Sequence, residues 1–243
     1  MTTKPSIVFA HGLWADGSCF SKVIKLLEAD GFECIATQNQ LNTVEDDAAA
    51  VRTSLNRAAS TPAVLVGHSY GGTVITAAGT DDRVGALVYI CALAPDEGET
   101  SQAEIDRHPP TAVFNHVEVV DGRVWLKRTG TAAFCGDLSD EEQKLVWSTQ
   151  GAPLADLLSQ PVRGAAWKSK PAFYIVGAND ETVHPELERY VSQRMNAKIT
   201  ELQSSHVPML SQPERVYEVI RQAAEAASQQ TESVQQQPSP ALT

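Results

Sequence analysis

The chain has 243 residues, with 19 Lys+Arg against 30 Asp+Glu, a formal net charge of −11; that length suits one domain carrying an insertion and can bury a sizeable core. An acidic surface repels phosphate backbones, and no apolar run approaches the roughly 18 residues needed to cross a bilayer, so neither nucleic acid nor membrane is an expected partner. The polar start from Met1 to Ser6 lacks the apolar stretch of a secretory signal, and the four cysteines (19, 34, 91 and 135) form no close-spaced pair, which points to reduced thiols in a cytoplasmic protein and away from metal or dithiol chemistry.

Strand and helix signals alternate from the start. Ile7 to Ala10 is a short apolar strand, and Phe20, Val23, Ile24 and Leu27 then recur at helical spacing up to a stop at Gly31. Residues 34–36 read as the next strand. Thr43 followed by Asp46 predicts an N-cap, opening an Ala-rich helix to about Ala59. Residues 63–66 and 86–90 are continuous apolar strands flanking a small-residue helix at 70–78. Such strands separated by helices predict an α/β fold, with a mostly parallel central sheet covered by helices on both faces.

The rhythm breaks after Pro95. Residues 117–120 and 124–126 around Asp121-Gly122 predict a hairpin. Ser139 and Glu142 form a capping box opening a helix with Leu145, Val146 and Trp147. The α/β pattern returns with a strand at 173–176, a helix at 185–195 and a strand at 199–202; Ser211 to Glu214 reads as a second capping box before Val216, Val219 and Ile220. From Ser228 the chain is rich in Gln, Ser and Pro, which predicts a disordered tail. The expected organisation is therefore a core in two parts, 1–95 and 169–227, an insertion at 96–168 and a tail at 228–243. An insertion leaving a strand's carboxyl end lies over the place where open α/β sheets bind ligands, so 96–168 is expected to be a lid or cap.

Chemistry concentrates at strand ends. Gly67-His68-Ser69-Tyr70-Gly71 is a G-x-S-x-G sequence between a strand and a helix, where a serine on a sharp turn needs small neighbours. Serine needs a base, and His206 follows the last strand; Asp180, after the strand at 173–176, is the candidate orienting acid, with Glu181 its nearest rival. The chain order Ser69, Asp180, His206 is nucleophile, acid, base. An oxyanion would need two backbone N–H groups, for which Leu13 after the first strand and Tyr70 after the serine are placed. His11 reads as fixing loop geometry, His184 as a surface helix start, and His68, His108 and His116 receive no chemistry. Gly12, Trp14, Phe134, Leu145 and Trp147 are the candidate substrate-pocket residues.

On Ile7 to Gly12, Val64 to Gly72, Ala86 to Pro95, Tyr174 to Asp180 and Ser205 to Pro213, the chain resembles the α/β-hydrolase fold. The branch it resembles holds small plant methyl-ester esterases, hydroxynitrile lyases and microbial esterase-like relatives. The resemblance covers about residues 6–226 and implies a serine hydrolase acting through an acyl-enzyme on a small, largely apolar carboxylic ester, lactone or thioester. No cofactor and no metal are expected. The expected partner is a small ester-like substrate, and a homodimer stays open. The alternatives are a lyase or cofactor-free oxygenase on the same triad, or a non-catalytic small-molecule receptor. The resemblance also implies that lyases of the branch carry a threonine where this chain has Gly12 and a lysine where it has Val207.

Overall fold

The computed structural model describes residues 4–235, with side chains up to Gln229. Strand β1 (Ile7–Ala10) leads through a 3-10 turn to α1 (Ser21–Ala29), β2 (Cys34–Thr37) and α2 (Val44–Leu55), then β3 (Ala63–His68), α3 (Tyr70–Ala78) and β4 (Val84–Ile90). Between β4 and the next strand of the sheet lie α4 (Ser101–Ile105), a hairpin of β5 (Val117–Val120) and β6 (Arg123–Leu126), α5 (Thr131–Cys135) and α6 (Asp140–Ser148). The core resumes with β7 (Ala172–Gly177), α7 (Pro185–Arg194), β8 (Lys198–Leu202), α8 (Pro208–Ser211) and α9 (Pro213–Gln235).

The six core strands form one sheet in the order β2-β1-β3-β4-β7-β8, every neighbouring pair parallel. β1, β3, β4 and β7 are buried along their whole length, which is why they read as unbroken apolar runs rather than alternating ones. The chain leaves β1 toward one edge and returns on its other side as β3. Loops at the carboxyl ends of β1 and β3 therefore diverge and leave a crevice between them. Among the described residues no helix is long and apolar enough to cross a membrane.

Local signals and structure agree where a side chain satisfies a helix end. Thr43 accepts from Asp46 N at the start of α2, and Ser139 and Glu142 make both halves of a capping box on α6. Three expectations need correction. The second helix stops at Leu55, short of Ala59, because the following residues tighten into i→i+3 bonds: Arg57 N to Ser54 O and Ala58 N to Leu55 O. Ser211 caps nothing, since it already lies in α8 and its buried hydroxyl has no partner among the described residues; the carbonyl of Gln212 instead takes the first bonds of α9, from Arg215 and Val216. The backbone of α9 runs past Ser228 to Gln235, so the tail predicted from 228 begins as helix; 236–243 lie outside the described residues. Cys19, Cys34, Cys91 and Cys135 are all free thiols.

Candidate active site

Ser69 sits where β3 turns sharply into α3. Its backbone is at φ 55° and ψ −125°, a conformation that side-chain-bearing residues adopt at a cost of about 1–3 kcal/mol. Three hydrogen bonds hold it there: Ser69 N to Ile90 O at 3.0 Å, and Gly72 N and Leu93 N to Ser69 O at 2.9 and 3.2 Å. Close packing also demands the glycines. A Cβ on Gly71 would stand 2.1 Å from Ala10 O, and one on Gly12 would stand 2.6 Å from Ser69 Cβ. The α3 helix is anchored below by Tyr70, whose hydroxyl donates to Asp47 at 3.0 Å; Asp47 also accepts from Gln40 N at 2.7 Å and Leu41 N at 3.2 Å. Burial pushes the Asp47 carboxyl up, against those bonds.

Asp180 follows β7, and His206 follows β8. His206 Nδ1 and Asp180 Oδ2 are 2.5 Å apart, with both side chains shut off from solvent. The other carboxylate oxygen, Oδ1, accepts from Thr182 N at 2.6 Å and Val183 N at 3.0 Å, which fixes the acid's orientation. Glu181, the rival acid, is exposed, so the partner of the histidine is Asp180. His206 Nε2 is buried and makes no hydrogen bond to any of the described residues, Ser69 included. Catalytic contacts are often loose before substrate arrives.

Further groups hold the histidine loop. His68 Nε2 lies 2.8 Å from His206 O, and the two rings stand 4.6 Å apart. Burial, then the neighbouring His206, drives His68 well below the ordinary imidazole range, so it is neutral and its Nε2–H donates to that carbonyl. Asp137, from the insertion, accepts from Ser205 N at 2.9 Å and from the Ser205 hydroxyl. Cys91, at the end of β4, brings its sulfur within 4.8 Å of the Asp180 and His206 ligand atoms. Those three are metal-ligand types, but Nδ1 and Oδ2 already bond one another, and burial pushes the thiol well above its usual range. The arrangement is thus a hydrogen-bonded dyad with a neutral thiol beside it. In the sequence His68, Asp137 and Cys91 carried no role at the histidine, because each meets the His206 loop from a distant segment and only topology joins them.

His11 has the geometric role expected of it. Its Nε2 accepts from Asn39 N at 2.9 Å, so the ring proton lies on Nδ1, which faces Gly12 O at 2.9 Å. Burial lowers its pKa and keeps it neutral. His184 caps α7, accepting from Glu186 N. In the loop after β1, Trp14 N donates to Gly151 O at 2.9 Å, whereas Leu13 N and Tyr70 N have no protein acceptor among the described residues. The insertion also takes the Trp14 indole, which donates to Val124 O at 2.9 Å.

An apolar cleft of about 170 Å3 opens beside the dyad, lined by Trp14, Phe134, Leu145, Val146, Val207 and Leu210. Lys22 and Glu142 pair across its rim at 2.6 Å. Phe134 packs edge-on against both Trp14 (centroids 6.0 Å) and His206 (5.1 Å), and so stands between cleft and histidine. Gly12 and Trp147 are not part of it, contrary to the sequence expectation: Gly12 is packed against Ser69 instead. Residues 142, 145 and 146 of α6 and its cap residue Thr149 share the cleft face, while Trp147 turns to the hairpin, where its indole donates to Leu126 O at 2.9 Å and Arg128 stacks on it.

The model of the alpha/beta hydrolase family matches residues 7–219, and the chain belongs to that family. It is 26% identical over 257 residues to a pyrethroid hydrolase of Sphingobium wenxiniae, covering 93% of this chain and 90% of that one. It is 24% identical over 255 residues to methylesterase 8 of Arabidopsis thaliana, covering 87% and 86%. The crystal structure of polyneuridine aldehyde esterase superposes with a TM-score of 0.76 at 18% identity, over 88% of this chain and 97% of that one, a likeness of fold.

Proposed function

We propose that the protein is a serine hydrolase that cleaves a small, largely apolar carboxylic ester, lactone or thioester through an acyl-enzyme. The observation that carries this reading is the buried His206–Asp180 pair at 2.5 Å, at the same carboxyl end of the sheet as a serine held at positive φ on a helix N-terminus. In this reading Ser69 Oγ attacks the carbonyl carbon as its proton passes to His206 Nε2. Asp180 steadies the resulting imidazolium, and the N–H groups of Leu13 and Tyr70 receive the oxyanion. The bond to the leaving alcohol then breaks, and that alcohol takes the proton from His206. Water, deprotonated by the same histidine, releases the acid and restores Ser69.

Hydrolysis is favoured over cyanohydrin cleavage. A departing cyanide needs a cation beside the histidine, and the residue there is Val207, buried against the apolar cleft. A threonine side chain at position 12 would collide with Ser69. The insertion 96–168 serves as the cap of the site, its Phe134 and Leu145 shaping the substrate's apolar part, and the protein works in the cytoplasm with its thiols reduced. The hydrolase and esterase relatives support the general reaction. The test is turnover of short p-nitrophenyl esters against release of benzaldehyde from mandelonitrile. Ester turnover that Ser69→Ala lowers by about 10³-fold or more in kcat is expected. Aldehyde release well above background without ester turnover would contradict the proposal.

A further inference from the structure

Glu188, on the inner face of α7, is completely buried, and it is the one acidic residue on that helix turned toward the sheet end. Its Oε2 accepts from Gly177 N at 2.9 Å, at the point where β7 ends and the loop bearing Asp180 begins. Its Oε1 is buried and receives no N–H or O–H from the described residues. The same Gly177 lies against the Cys91 sulfur and the Asp180 side chain, which a Cβ on it would meet at 2.9 and 3.4 Å; these two groups flank the Glu188 carboxyl, the nearby Tyr174 phenol on β7 is taken up by Ala92, and no cation stands among them. Two buried carboxylates side by side without a cation cannot both be ionised. Asp180 already serves His206 and two backbone N–H groups, all of which favour its charged form. The proton therefore belongs on Glu188.

We infer that Glu188 is a positioning residue for the triad, a neutral carboxylic acid that accepts from Gly177 N and donates its proton in a hydrogen bond to Asp180. The bond ties the acid to α7 as well as to its own loop and spreads the carboxylate's charge without competing for His206. Burial, reinforced by the Asp180 charge, holds the Glu188 carboxyl well above the ordinary carboxylate range, in keeping with this geometry. The role rests on the triad reading of Ser69, Asp180 and His206.

The geometry makes a specific demand: glutamine can replace glutamic acid, because its amide carbonyl can accept from Gly177 N while its NH2 donates to Asp180. Leucine cannot. The experiment measures kcat and KM for p-nitrophenyl acetate from about pH 5 to pH 9 in the unsubstituted protein, Glu188→Gln, Glu188→Leu and Ser69→Ala. Glu188→Gln is expected to keep kcat within about 3-fold and to leave the acidic limb of the profile in place; Glu188→Leu is expected to lose about 10-fold or more in kcat with KM nearly unchanged. A carboxyl kept neutral by burial contributes stability that is full below about pH 4 and is lost as pH rises toward its raised pKa. Replacing it by an amide removes that loss, so the Tm gain of Glu188→Gln is larger at about pH 8 than at about pH 5.

The inference is overturned if Glu188→Leu has ordinary kcat, or if Glu188→Gln moves the acidic limb downward, as removal of an ionised carboxylate near the histidine would. Should Glu188→Leu fail to fold, the acidic limb and the Tm difference of Glu188→Gln still decide. Undiminished turnover in Ser69→Ala would instead overturn the triad reading itself, and this role with it.

Discussion

The turn around Ser69 and the loop around His206 hold their side chains by different means. The serine is held by backbone and by the absence of side chains: a positive φ, three backbone hydrogen bonds, and glycines where a Cβ would strike Ala10 O or Ser69 itself. The histidine is held by side chains from elsewhere, namely Asp180 on its ring, His68 under its carbonyl and Asp137 on its neighbour Ser205. A steric constraint leaves little tolerance, since backbone cannot step aside. A hydrogen-bonded frame shares its load among several partners, and losing one outer partner costs less.

Breaking the chemistry itself gives the largest expected effect. His206→Ala loses about 10³-fold or more in kcat, Asp180→Asn somewhat less, and Glu181→Gln and His184→Ala stay within about 3-fold. Steady-state kinetics on a short p-nitrophenyl ester checks all four. If Glu181→Gln abolished turnover and Asp180→Asn did not, the buried pair would not be the working one.

Next comes the steric side of the comparison. Gly71→Ala places a methyl 2.1 Å from Ala10 O, a backbone atom at the end of a buried strand. It should destabilise the fold by about 1–3 kcal/mol or more, read as a lowered urea midpoint. Gly71→Ala with an ordinary midpoint would mean the elbow is not closely packed. On the hydrogen-bonded side, Asp137→Ala frees Ser205 while Asp180 and His68 remain. A fall of about 10-fold in kcat is expected, with a smaller change in stability. A loss as deep as that of His206→Ala would erase the distinction between the two regions.

This same distinction decides what could be read from the sequence. Glycine requirements are local, so Gly67-His68-Ser69-Tyr70-Gly71 between an apolar run and a helix disclosed the turn. The buried strands disclosed the parallel sheet. Asp180 and His206 were legible because strand ends are where an open α/β sheet places such groups. His68, Asp137, Cys91 and Glu188 were not, because their partners are 138, 68 and 11 residues away where a bond is formed and across a strand for Cys91. The insertion was the least legible part. Trp147 stands two residues from Leu145, which turns it about 200° around α6 and out of the cleft, a matter of helix phase that composition does not carry. The smallest predicted effect follows: Leu145→Ala should change the relative kcat/KM of short and long acyl esters by a few fold, whereas Trp147→Ala should leave that ratio alone and loosen the hairpin.

The central claim is that the reactive group beside the His206–Asp180 pair is Ser69. Treating the protein with a p-nitrophenyl alkylphosphonate and mapping the adduct by peptide mass spectrometry tests it directly. One phosphonyl group on the peptide bearing Ser69, its formation abolished in Ser69→Ala and strongly slowed in His206→Ala, is the predicted result. An adduct on Cys91, the thiol nearest the pair, or no covalent adduct despite binding, would contradict it.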